Sequence, residues 1–246
     1  FVANRSNRVE TVNALFRVTG KQPELWDPLT GRTRPARVWS EREGRTRVPL
    51  ELAPFGSWFV VFRQAAPPPA GDPAARNFPV LTPRHTLDGP WTVRFDPPWG
   101  GPMAAEFPGL ISWTERPEPG IRYYSGAATY TREFALPAAL RSALGKTPLY
   151  LDLGRVEELA EVRLNGVNLG VLWAFPFRVD VTRALRPEGN RLEIDVVNFW
   201  PNRIIGDQAL PPAERRTRTN IRKLTATTPL MESGLLGPVR LLGEDP

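Results

Sequence analysis

Apolar and polar residues alternate with a period of two along most of the chain, the spacing of half-buried strands. Val12, Ala14, Phe16 and Val18 alternate with Asn13, Leu15 and Arg17, and Val48, Leu50 and Leu52 form a second alternating run. Trp26-Asp27-Pro28-Leu29-Thr30-Gly31 between them reads as a turn, because proline presets φ and glycine tolerates φ > 0. Pro54-Phe55-Gly56 turns the chain into Ser57-Trp58-Phe59-Val60-Val61-Phe62, a nearly continuous apolar run that predicts a strand buried on both faces. Residues 1–63 therefore predict a small all-β unit, with Trp26, Trp39 and Trp58 in its core. The chain opens on Phe1-Val2-Ala3-Asn4-Arg5, inside a strand pattern and without the charged and apolar regions of a leader. That unit is accordingly expected to be truncated at its N-terminus.

Residues 64–78, rich in proline and alanine, predict a semi-rigid linker. His85 stands alone on the proline-rich approach to the second unit, residues 79–246. There the alternation is sharper. Trp91 to Phe95, Tyr124 to Phe134, Pro148 to Gly154, Phe177 to Val181 and Leu192 to Val196 all read as strands. In the second of these Ala128, Tyr130, Arg132 and Phe134 share one face. Asn165-Gly166, flanked by the runs Ala160–Leu164 and Val167–Val171, is the strongest hairpin signal, since a type I′ turn needs φ > 0 at both positions. Residues 137–144 are the only helical candidate. The fold class is all-β, a β-sandwich or jelly roll.

Composition narrows the chemistry. The 246 residues carry a net charge of +6, from 32 basic residues of which only Lys21, Lys146 and Lys223 are lysine. The arginines cluster at Arg32, Arg34, Arg37, Arg42, Arg45 and Arg47, and again at Arg215, Arg216, Arg218 and Arg222 with Lys223. Most are interleaved with acids and no nucleic-acid-binding motif accompanies them, so they read as solvated surface and no nucleic-acid partner is expected. No apolar run approaches the length of a membrane span, so no membrane partner is expected either. Without cysteine, and with His85 the single histidine, disulfides, thiolate sites and His-rich metal sites drop out.

Several segments taken together carry a family resemblance. Tyr124-Ser125-Gly126, Tyr130-Thr131-Arg132-Glu133-Phe134, Leu151-Asp152-Leu153-Gly154-Arg155-Val156, Ala160-Glu161-Val162-Arg163-Leu164-Asn165-Gly166, Pro176-Phe177-Arg178-Val179-Asp180-Val181-Thr182 and Gly189-Asn190-Arg191-Leu192 resemble the sugar-binding domain of family 2 glycoside hydrolases, a galactose-binding-like jelly-roll β-sandwich. The flanks are more specific. Leu110-Ile111-Ser112-Trp113-Thr114, Trp200-Pro201-Asn202-Arg203-Ile204-Ile205-Gly206-Asp207, Ser233-Gly234-Leu235-Leu236-Gly237-Pro238-Val239 and Gly20-Lys21-Gln22-Pro23-Glu24-Leu25-Trp26-Asp27-Pro28 resemble the C-terminal region of alpha-L-rhamnosidases of glycoside hydrolase family 106. The resemblance implies a non-catalytic region of a carbohydrate-active hydrolase, with the catalytic carboxylates in an upstream barrel domain of the same protein. It implies a rhamnose-containing oligosaccharide or polysaccharide as substrate, calcium as an assisting ion, and a bacterial protein in an extracellular or periplasmic setting. No catalytic acid or base is transferred to this chain.

Sugars present apolar C–H faces that aromatic rings cover, and hydroxyls that need amides, carboxylates and guanidiniums. Trp113, Tyr124 and Trp200 at strand ends, with Asn202, Arg203, Asp207 and Gln208, are the candidate substrate-binding residues. Two readings of the 200–208 segment stay open. It contacts sugar or a neighbouring domain, or Trp200 caps the core and Arg203 pairs with Asp207. Trp173 reads as core. Glu115, Glu118 and Glu232 read as solvated or ion-paired loop acids, because no spacing brings two carboxyls together across a sugar. Residues 207–234 lack periodicity, and a long loop of that kind tends to be functional. The expected role is therefore structural support for a glycoside hydrolase with substrate contacts, the alternative being an autonomous carbohydrate-binding module.

Overall fold

The computed structural model describes residues 1–68, 75–220 and 223–245. Part of the expected linker, 69–74, and Arg222 of the second arginine cluster lie outside the described residues. The chain divides into two compact units. One is Phe1–Val80 with Ala174–Pro176 and Asp245, and the other is Leu81–Trp173 with Phe177–Glu244.

In the first unit, Glu10–Phe16, Arg45–Leu52 and Ser40–Arg42 form a three-stranded antiparallel sheet, and Val2–Ala3, Ser57–Ala65, Lys21–Trp26 and Thr33–Pro35 form a four-stranded one. Val48, Leu50 and Leu52 point into a core with Leu25, Ala36 and Trp39. Trp58, Val60 and Phe62 pack against that core from one side of their strand. The 57–62 run is not buried on both faces, however: Phe59 is exposed and meets the Phe1 ring at 4.9 Å. Only one face of this sheet looks onto the core, so an apolar run alone overstates its burial. Trp26 is half-buried, with the Arg63 guanidinium 5.1 Å over its ring. Within the stretch read as a linker, Ala65 still belongs to the strand. Asn77 is buried, its amide nitrogen donating to the Val38 and Pro49 carbonyls at 2.7 and 3.0 Å.

In the second unit the six-stranded sheet runs in the order Ala105–Phe107, Trp91–Arg94, Ala127–Phe134, Asn190–Val197, Leu159–Leu164, Val167–Leu172. A four-stranded sheet runs Arg178–Asp180, Leu149–Asp152, Arg240–Glu244, Leu81–Thr86. Leu149, Leu151 and Leu241 of the latter share one core with Trp91, Tyr130, Val162 and Ile194 of the former, which makes this unit an all-β sandwich. His85 sits in a strand, opposite Leu241, rather than in a connection. Asn165 and Gly166 take φ of 54° and 81°, as the hairpin requires. Asn165 does more than turn the chain. Its amide donates to the Ala184 carbonyl at 2.7 Å and its side-chain oxygen accepts from the Arg191 N–H at 2.9 Å, tying the turn to the next strand.

The expected helix forms as Ala138–Ala143. A second one, Pro201–Gln208, occupies a segment that the strand patterns left as loop. Pro201 suits its first turn, where φ is already helical and no N–H is needed. Six of its eight residues, Asn202 to Asp207, are buried. Two turns are too short for a 3.6-residue pattern to declare itself. Among the described residues no helix is long and apolar enough to cross a membrane.

Candidate functional site

Register decides which loops of the second unit meet. Ala127 and Leu159 both pair with Val197, and Thr129 pairs with Arg94. The exits of Trp91–Arg94 and Asn190–Val197 and the entries of Ala127–Phe134 and Leu159–Leu164 therefore lie at one end of the sheet. The long connections 95–126 and 198–233 both leave from that end.

Polar side chains, buried at Ser112, Ser125, Asn202 and Ser233 and half-buried at Asn198, lace these connections together. Asn198 donates to the Tyr124 carbonyl at 3.0 Å and the Ser233 hydroxyl at 2.9 Å, and accepts from the Gly126 N–H at 2.9 Å. Asn202 makes a reciprocal pair with the Met231 backbone, donating to its carbonyl at 2.7 Å and accepting from its N–H at 2.9 Å. Ser233 N–H donates to the Ser112 hydroxyl at 3.1 Å, and Arg203 N–H to the Ser125 hydroxyl at 3.1 Å. All of these but the Asn198–Ser233 bond satisfy a backbone group. Asn198, Ser125 and Ser233 carry no sequence signal for this role, since a single polar residue after a strand looks like any loop residue.

The helix Pro201–Gln208 sits in this web. Gly206 is needed there: a Cβ would lie 2.6 Å from the Tyr123 Cβ. Arg203 and Asp207 face each other one turn apart, Nη2 to Oδ1 2.9 Å, with side chains 6% and 2% exposed. The other Asp207 oxygen accepts from the N–H groups of Arg216 and Thr217 at 3.1 and 2.8 Å and from the Thr217 hydroxyl at 2.7 Å. One buried carboxylate thus fixes both a helix and the start of the arginine-rich loop.

Of the sequence candidates, Trp113 and Tyr124 do not reach the surface. Both are 0% exposed, with ring centroids 5.6 Å apart edge to face, in an aromatic cluster with Phe95. They are core, and a buried ring has no face left for a sugar. Asn202, Arg203 and Asp207 are also buried, so they shape the loop end from beneath rather than touching a ligand. The paired reading of Arg203 and Asp207 holds, but Trp200 does not cap the core, because 52% of it is exposed. Phe199 beside it is 50% exposed, and Gln208 is half-buried. Trp173, expected in the core, is 62% exposed where the hairpin strand Val167–Leu172 ends.

The loop acids are engaged locally. Glu115 closes a capping box with Ser112. Arg116 grips Glu118 through two bonds, 3.0 and 2.6 Å, and these hold the Glu118 carboxyl below its ordinary range. Glu232 pairs with Arg155. Glu158 differs, because partial burial and the neighbouring Glu157 raise its pKa. The fold therefore favours protonated Glu158. Its contribution to stability is full at pH below the ordinary carboxylate range and is lost as pH rises through the shifted value. Glu158→Gln is expected to flatten that decline in urea titrations run upward from about pH 4, the ordinary carboxylate value. An unchanged pH profile would assign the decline to other groups. Among the described residues no three acidic or histidine side chains converge as a metal cage. The calcium implied by the resemblance thus has no carboxylate cage among the described residues.

The profile of the alpha-L-rhamnosidase family matches residues 1–39. A rhamnosidase from Novosphingobium sp. PP1Y superposes on 98% of the chain with a TM-score of 0.87 and 42% identity. The chain is glycoside hydrolase family 106-like. A putative beta-glucuronidase from Formosa agariphila is 37% identical over 178 residues, 63% of the chain. The family 106-like chain spans 22% of that rhamnosidase and 15% of that glucuronidase. It is a glycoside-hydrolase-related region.

Proposed function

We propose that the chain is a non-catalytic β-sandwich region of an alpha-L-rhamnosidase-like enzyme, supporting a catalytic domain elsewhere in the same protein and lending its loop end to a rhamnose-containing glycan. The observation that carries this is the exposed pair Phe199 and Trp200 on a loop end tied down by polar contacts. A fixed aromatic face can stack on a sugar without first losing conformational freedom. The match of nearly the whole chain to about a fifth of a rhamnosidase supports the same reading. So does the local pairing of Glu115, Glu118 and Glu232, which leaves those acids committed to partners. Such a role belongs outside the cell or in the periplasm, where polymeric glycans are met.

The purified chain is expected to release no chromophore from an aryl alpha-L-rhamnoside, and turnover would overturn the non-catalytic part. Isothermal titration with a rhamnose-containing oligosaccharide tests the contact. Trp200→Ala is expected to weaken binding about five- to tenfold, on the order of 1 kcal/mol for one lost aromatic face. An affinity unmoved by the substitution would remove Trp200 from the contact surface.

A further inference from the structure

The arginine-rich loop beyond the helix encloses a cleft of about 860 Å³, lined on its polar side by Gln208, Arg215, Thr217, Arg218, Thr219 and Thr225. Asp207 lies at its base. The loop is anchored at several points. Asp207 holds the backbone of 216 and 217, the Arg215 Nε donates to the Leu210 carbonyl at 3.0 Å, and the Arg216 guanidinium donates to the Pro98 carbonyl at 2.8 Å. Arg216 is thereby turned toward the 96–100 turn, and Arg215 and Arg218 face the cleft.

Charge decides what this cleft prefers. The Asp207 charge is answered by buried Arg203 at 2.9 Å, and its second oxygen already accepts three bonds. Arg215 and Arg218 have no carboxylate partner among the described residues. The lining is therefore left with two uncompensated guanidiniums beside an amide and threonine hydroxyls. Guanidiniums bind carboxylate and sulfate oxygens with charge-assisted bonds, and hydroxyls and amides suit the ring of the sugar that carries them.

We propose that this cleft is a subsite for an anionic sugar, one bearing a uronate carboxylate or a sulfate ester, with Arg215 and Arg218 as the anion-binding pair and Asp207 as the residue that positions them. This deepens the glycan-contact reading and rests on it. It adds an anionic group to a glycan contact so far argued only for rhamnose.

The test titrates the 246-residue chain with three probes at low ionic strength: a neutral rhamnose disaccharide, a rhamnose–glucuronate disaccharide and a sulfated rhamnose. At least one acidic probe is expected to bind about tenfold more tightly than the neutral one, a preference that shrinks as salt is raised. Preference for the uronate or for the sulfate identifies the source of the anion. Arg215→Gln/Arg218→Gln is expected to bring the acidic probe to the neutral level. Both residues are exposed and the double variant loses one exposed anchor, Arg215 to Leu210, so its thermal midpoint should stay close to the parent's. Equal binding of all three probes overturns the anionic subsite and leaves the glycan contact standing. A preference for the acidic probe that survives the double variant overturns it as well, by placing the anion elsewhere. Absence of binding by every probe, with Trp200→Ala also silent, overturns both readings.

Discussion

Asp207→Ala is expected to destabilise the second unit by about 3–5 kcal/mol, the cost of leaving one member of a buried ion pair without its partner. Both members are nearly inaccessible, so water cannot take the place of the lost carboxylate around Arg203. The same change strips the N–H groups of Arg216 and Thr217 of their acceptor. Two effects can be separated. Arg203→Met/Asp207→Leu removes both charges and should recover the ion-pair part of the loss, because paired removal avoids the stranded charge. What it fails to recover measures the anchoring of the 215–217 loop. Urea unfolding gives the energies, and limited proteolysis between 209 and 220 reports the loop directly. A loss below about 1 kcal/mol, the worth of an exposed pair, would mean that the site opens to solvent.

The second large effect is expected at Gly234. Its φ is +102°, and an added Cβ would lie 2.5 Å from the Trp113 Nε1 and 2.7 Å from the Tyr130 hydroxyl oxygen. That hydroxyl is the acceptor for both the Trp113 indole N–H and, at 3.1 Å, the Leu235 N–H, and both rings are 0% exposed. Burial raises the Tyr130 pKa, so the phenol stays protonated while it accepts these bonds. Gly234→Ala thus combines overpacking of a closed core with a left-handed backbone that alanine tolerates poorly. Together these amount to about 2–5 kcal/mol. A fall in the thermal midpoint of roughly 10 °C is the expected reading. Gly166→Ala is the control. It too has positive φ, at +81°, but nothing lies within 4 Å of its Cβ position, so backbone strain is its only cost, about 1–2 kcal/mol. If the two substitutions cost the same, the crowding at Gly234 is relieved by movement of the aromatic pair.

Much of the second unit was legible because its strands alternate. Ala128 and Tyr130 face inward, Leu192, Ile194 and Val196 are buried, and Asn165-Gly166 turns the hairpin as its φ requirement dictates. Where the reading failed, a local pattern was asked for a long-range answer. The run at Ser57–Phe62 looks buried on both faces because apolar character is a property of the residue. Burial depends on what lies opposite, and only one face of that strand meets the core. Trp113 and Trp173 reversed their expected roles for the same reason. An aromatic residue in a loop gives no sign whether the loop folds inward, as the 113–115 turn does, or stands out, as Trp173 does.

The candidate site divides in the same way. The mixture of aromatic, amide and charged residues marks the 200–208 segment, but does not tell whether Arg203 and Asp207 bind outward or pair with each other. A helix answers it. Positions four apart lie on one face, and that face is turned into the protein, so the charges satisfy each other and only Trp200 remains at the surface with the half-buried Gln208.

The sequence by itself determined the all-β class, the hairpin at 165–166, the short helix near 138–143 and the family resemblance. Each is written in residue types, in neighbours a few positions apart, or in motifs read directly along the chain. Tertiary structure alone decided that helix 201–208 is buried, that Asn198, Asn202 and Ser233 lace two distant connections together, and that Arg215 and Arg218 stand over a cleft with no carboxylate partner of their own among the described residues. These depend on strand register, which brings residue 197 beside 127 and 159, and no local period encodes which loops that register will bring to one end.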